Sequence, residues 1–205
     1  MEAHYLIKGM VIGFSIAAPV GPIGLLCIRR SLNHGILSGL LTGLGAATAD
    51  ACYGCIAGFG LTFISSLLIN QKVWLQLIGG LFLCYLGFVN FKKNHSEIQD
   101  VKKARGYMMA YVSAFFLTLT NPMTILSFAA IFAGLGIVMA TNGYASSVIL
   151  VLGVFTGSTL WWVLLAGGVD RLKKRLSPTI HQWINRLSGA VLLVFGLGAL
   201  LQLII

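Results

Sequence analysis

Asp50 is the residue whose type and setting most clearly could do chemistry. It lies in Ala46-Ala47-Thr48-Ala49-Asp50-Ala51-Cys52-Tyr53, inside an apolar segment. The other acids, Glu2, Glu97, Asp100 and Asp170, fall at the terminus or in expected loops. A carboxylate at a bilayer centre costs about 2.5–3.5 kcal/mol on insertion scales, so it faces a cavity or a partner. Apolar surroundings disfavour its charged form, which suits the binding and release of a proton. The alternative is a packed Asp that is hydrogen-bonded to Thr, Ser or Tyr across a helix bundle.

Two interruptions add to this. Ala18-Pro19-Val20-Gly21-Pro22-Ile23-Gly24 sits inside the apolar run Leu6 to Ile28, and Thr120-Asn121-Pro122 sits inside a second run a hundred residues on. Proline removes a backbone donor and clashes with the preceding turn, so neither run is one straight helix. In lipid such a break survives only against protein or a wet cavity. Matched breaks in two halves of a membrane chain point to a transport site. Thr118, Thr120, Asn121, Thr124 and Ser127 bring polar groups to the second break. A half-helix starting after Pro122 would aim free amides at a carboxylate, and unwound carbonyls near Pro19 would accept an ammonium group or a cation. The blander reading has each Ser and Thr bonded back to its own kinked helix.

These patterns assign Asp50 to proton coupling. They assign Pro19, Gly21 and Pro22 at the first break to substrate binding. Tyr53, Thr118, Thr120, Asn121, Pro122 and Thr124 complete that expected set. Cys52-x2-Cys55 is a weak metal signal. On a helix Asp50 and Cys52 point about 200° apart, and His4, His34, His95 and His181 fall in loops or at interfaces. No metal site, cofactor or nucleophile–base constellation is expected, and so no enzyme.

The elements that hold these residues follow from composition. The chain has 205 residues, 58% hydrophobic and 9% charged, with mean hydropathy +0.91. A soluble domain carries about a quarter charged residues, and the apolar runs are long enough to cross a hydrocarbon core. We expect an all-α membrane protein of six transmembrane helices, with helices 1 and 4 broken. The spans are Leu6 to Ile28, about Ile36 to Phe63, Val73 to Phe91, Tyr107 to about Met139, about Ser147 to Gly168, and Ile184 to Ile205. A basic stretch, Asp170 to Arg186, separates the last two.

Of the fourteen Lys and Arg, only Lys8 and Lys72 lie on one side of these spans. The positive-inside tendency therefore puts both termini outside and three basic loops in the cytoplasm. It also accounts for the net charge of +9 without nucleic acid as a partner. The partners expected are a small-molecule substrate, protons and the lipid bilayer. Glycine stripes would also allow a homodimer.

The halves repeat. Trp74-x3-Ile78-Gly79-Gly80-x6-Gly87 matches Trp183-x3-Leu187-Ser188-Gly189-x6-Gly196, and Gly43-x2-Ala46-Ala47-Thr48 matches Gly153-x2-Thr156-Gly157-Ser158. Gly21-Pro22 matches Asn121-Pro122. Three spans per half make this an inverted repeat of three plus three. Residues 1–95 form the first unit, 96–106 a charged cytoplasmic linker and 107–205 the second, inverted unit. Gly39, Gly43, Ala46, Ala47, Asp50 and Gly54 form a small-residue stripe that turns Asp50 towards protein. Its counterpart in the second half is Leu160, which predicts a chemically one-sided site.

Together these residues resemble the lysine exporter family, the LysE/RhtB group of bacterial amino-acid exporters. The resemblance covers essentially the whole chain. It rests on Pro19-Val20-Gly21-Pro22, Gly35 to Gly43, Asp50, Leu83-Cys84-Tyr85-Leu86-Gly87, Asn121-Pro122 and Ser188-Gly189. Val20 stands where many members have proline, and Met123 where many have lysine. The resemblance implies a six-span carrier in the bacterial inner membrane that expels an amino acid or related zwitterion by proton antiport. Export of a divalent metal cation is the alternative, since the wider superfamily includes metal exporters.

Overall fold

A computed structural model of the chain describes residues 2–19, 21–58, 72–92, 103–121, 124–128, 131 and 143–173, with short helical stretches between 186 and 201. Among the described residues every regular element is a helix. They are α1 (Glu2–Ala17), α2 (Pro22–His34), α3 (Ile36–Gly58), α4 (Lys72–Lys92), α5 (Lys103–Leu119) and α6 (Gly143–Lys173).

The first expected break is present. α1 and α2 meet at 81°. The Ala18 amide still closes a helical bond to Phe14 at 2.9 Å. α2 then restarts with Pro22 at its first turn behind Gly21, whose backbone is extended (φ −99°, ψ −161°). Proline suits that position, because its missing N–H would lack an intrahelical partner anyway. α2 ends at Gly35, whose φ of +88° is the only positive one among the described residues. Glycine adopts that conformation at no steric cost, and α3 follows at once.

The second break is present too, with α5 ending at Leu119. The Asn121 amide bonds to Thr118 at 3.2 Å, a tightened last turn, and the Asn121 carbonyl then accepts from Ile125 at 3.1 Å. Gly21 accepts from Leu25 at 3.1 Å in the same way. Both matched breaks therefore restart with one bond from the residue before the proline. Pro122 and the end of the fourth span lie outside the described residues, as does the second span beyond Gly58.

α6 runs longer than the span expected to stop at Gly168, and carries Asp170 to Lys173 inside the helix. Gly167 and Gly168 cost such a helix only about 1 kcal/mol each relative to Ala, too little to end it. α5 begins at Lys103, within the charged stretch expected to be linker.

α6 is flanked by α1, α2 and α3, and α3 lies between α5 and α6. α1 and α6 approach through reciprocal glycine pairs, Gly9 and Gly13 against Gly153 and Gly157. A Cβ on Gly13 would strike the Val154 carbonyl, and one on Gly157 the Met10 carbonyl. Small residues four apart let helix backbones touch in this way. These stripes, and Gly39, Gly43 and Gly45 on α3, are occupied by contacts within the chain, so they offer no free surface to a second copy.

The outward faces are apolar. Ile7, Val11, Trp74, Phe88, Met108 and Tyr144 are all exposed. Soluble monomers rarely show continuous apolar surface of this kind. Residues Tyr144–Leu172 form a helix long and apolar enough to cross a membrane, and α1 with α2 qualifies as one broken span. The architecture is that of an all-helical integral membrane protein.

Candidate functional site

A cavity of about 300 Å³ lies where the two breaks meet. The first break contributes Pro19, Gly21, Pro22, Ile23 and Gly24, with Ile16 and Ala17 from the end of α1. The second contributes Thr118, Asn121, Thr124 and Ser127. Asp50 from α3 and Trp162 from α6 complete the wall.

Asp50 is 2% exposed. The small-residue stripe of α3 turns it inward, as its spacing predicts. Ser158 on α6 donates a 2.7 Å hydrogen bond to Asp50 Oδ2. Trp162, one turn further on, donates from Nε1 to Ser158 Oγ at 3.2 Å. The indole has room because Gly43 lacks a side chain; a Cβ there would meet the ring. Gly43, Trp162, Ser158 and Asp50 thus form one packed chain across the α3–α6 interface.

Leu160, the repeat counterpart of Asp50, brings no second acid to the wall among the described residues. What the acid meets across the interface is Ser158 and, through it, Trp162. Ser158 was legible as a matched motif residue, yet its role depends on how α3 crosses α6. Asp50 is both bonded across the bundle and part of the cavity wall.

The expected substrate-binding residues divide. Pro19, Gly21, Pro22, Thr118, Asn121 and Thr124 line the cavity with Asp50. The Pro19 carbonyl accepts from the Gly21 amide at 2.9 Å. Thr118 lines the cavity while donating its proton to Ala114 O at 2.9 Å; its oxygen keeps acceptor capacity. Thr120 is not among the lining residues and bonds back to Phe116 O at 2.8 Å, following the blander reading. Tyr53 is also not among them. It is 4% exposed, stacks on Phe128 at 5.2 Å, and donates its hydroxyl proton to the Leu119 carbonyl at the end of α5. Its place is beside the second break, where it satisfies a carbonyl. Pro122 lies outside the described residues. Among the described residues no three His, Cys, Asp or Glu side chains cluster as metal ligands would.

A buried carboxylate in a small cavity between interrupted helices is the arrangement of a membrane carrier. The chain matches the family described as LysE type translocator over residues 14–203. It belongs to that family of translocators. It is 30% identical over 193 residues to a Bacillus subtilis (strain 168) protein named "Putative amino acid efflux protein YcgF", covering 91% of this chain and 90% of the relative. It is 26% identical over 198 residues to "Chemotactic transduction protein ChpE" of Pseudomonas aeruginosa, covering 95% of each. It is also 26% identical over 175 residues to "Uncharacterized membrane protein YahN" of Escherichia coli (strain K12), covering 83% of this chain and 77% of the relative. No solved structure matches the chain.

Proposed function

We propose that this protein is a secondary active exporter of an amino acid or a related small zwitterion, driven by proton antiport, with Asp50 as the proton-coupling group. The observation that carries this reading is the placement of Asp50. It is buried, lines the cavity between the two breaks, and is tied to the other half of the chain through Ser158.

The lining chemistry fits such a cargo. Among the described residues of the wall, Asp50 supplies the one charged side chain, and the rest is hydroxyl, amide or apolar. An ammonium group would pair with the carboxylate. A substrate carboxylate would lie near the helix that restarts after Asn121, whose first amides carry partial positive charge. Proton and substrate ammonium would then compete for Asp50, and a group that binds one or the other exchanges them across the membrane. The B. subtilis relative's name, which mentions amino acid efflux, supports this cargo class.

Six spans in an inverted repeat, residues 1–95 and 107–205 around the linker 96–106, would supply the alternating access. The identical restart bonds at Gly21 and Asn121 support that symmetry. The distribution of basic residues supports an orientation with both termini outside a bacterial cytoplasmic membrane.

Untargeted metabolite profiling of medium from over-expressing and deleted cells tests the cargo. Enrichment of one or a few amino acids by over-expression, and depletion by deletion, is expected. Unchanged amino acids together with altered tolerance of divalent metals would contradict it.

A further inference from the structure

Arg30 stands on α2 six residues beyond Gly24, which lines the cavity. That places it about 9 Å further along the helix axis, towards the basic end. Its Nη1 donates to Thr42 Oγ1 on α3 at 3.1 Å and to the Ala110 carbonyl on α5 at 2.9 Å. Its Nη2 donates to Ser113 Oγ on α5 at 2.7 Å. Both hydroxyls are turned to accept, because Thr42 gives its own proton to Ser38 O at 2.8 Å and Ser113 gives its proton to Met109 O. Thr42, Ala110 and Ser113 are all buried. α2 and α5 otherwise touch only narrowly. One guanidinium therefore joins the helix that opens at the first break to the helix that closes at the second.

We propose that Arg30 is the latch of a gate that shuts the cavity on the side of the basic loops, and that α2 is the element that swings when it releases. Gly21 and Gly35 bound α2 at its two ends. Gly21 has open space where a Cβ would stand, and Gly35 is the positive-φ joint to α3, so both ends turn without a side-chain clash. The neutrality of the three acceptors matters. Parting a guanidinium from a buried carboxylate strands an uncompensated anion, which is strongly unfavourable. Parting it from two hydroxyls and a carbonyl leaves groups that water satisfies as it enters. Arginine keeps its charge at any working pH, so the latch itself does not titrate. It rests on alternating access but on neither the cargo nor the coupling ion.

Cys27, one turn before Arg30 on α2, reports the gate. It is wholly buried, and its thiol donates to the Gly39 carbonyl on α3 at 3.4 Å. The test uses the full chain in proteoliposomes with C52A, C55A and C84A, and a membrane-impermeant maleimide applied to each face separately. Thr42→Val with Ser113→Ala removes two acceptors and keeps the charge. Labelling from the basic face should then rise roughly tenfold or more, with the other face unchanged. Thr42→Ser, which keeps the hydroxyl, should label like the parent. Where the double variant fails to insert, Ser113→Ala alone carries the test, with a rise of roughly threefold. Labelling that stays at the parent rate overturns the latch. So does faster labelling from both faces, which would mean a loosened bundle. Loss of coupling at Asp50 would not alter this readout, and failure of the latch would leave the Asp50 assignment standing.

Discussion

Ser158 reaches across from α6 to Asp50 on α3, joining residues 108 positions apart by a single 2.7 Å hydrogen bond. The acid of the first half is thereby held by a donor of the second. A carboxylate that gains or loses its charge changes the strength of that bond, since bonds to an ionised acceptor are roughly twice as strong as neutral ones. Protonation in the cavity therefore acts directly on the contact between α3 and α6.

Ser158→Ala removes the donor to Asp50 and the acceptor of Trp162 together. Stability of the purified protein should fall by about 1–3 kcal/mol, read as a lower thermal unfolding midpoint. Gradient-driven transport should fall more than exchange of substrate for substrate. Trp162→Phe removes only the outer bond and should cost about 0.5–1.5 kcal/mol. Equal effects of the two variants would contradict the order of this chain.

The α1–α6 contact should tolerate no added carbon. Gly13→Ala places a Cβ against the Val154 carbonyl, with Val154 Cα at 2.9 Å. Overpacking of this kind costs about 1–3 kcal/mol, sometimes more. Gly167→Ala, in open space on the same α6, should be neutral or stabilising by up to about 1 kcal/mol. Thermal unfolding of both variants in one detergent checks the contrast.

Thr118 and Asn121 should act on substrate affinity alone. Thr118→Val keeps the side-chain shape but removes the hydroxyl of a lining residue, and Asn121→Ala removes an amide from the wall. Each should raise KM by roughly two- to tenfold, with the maximal rate and the proton dependence retained. A fall in rate at unchanged KM would place these residues outside the binding step.

The parts of this protein that depend on single helices were legible in its residues. Pro19, Pro22 and the Asn121-Pro122 pair mark the breaks because proline acts on the local backbone. The stripe from Gly39 to Gly54 turns Asp50 inward because helical periodicity fixes which residues share a face. What depends on two helices crossing was not legible. That Ser158 meets Asp50, with Trp162 behind it, follows from the crossing angle of α3 and α6 and not from motif alignment. Tyr53 reads like a cavity residue by its distance from Asp50, yet its hydroxyl is taken by the Leu119 carbonyl. Arg30 reads as one of many basic loop residues, and only the position of α5 shows its three acceptors.

The central claim is that Asp50 carries the exchanged proton. Purified protein in proteoliposomes, loaded with the amino acid identified by profiling and subjected to an imposed pH gradient, tests it most directly. With Asp50→Asn, exchange of labelled for unlabelled substrate should persist, while transport driven by the gradient should disappear. Gradient-driven transport at the rate of the unaltered protein would contradict the account.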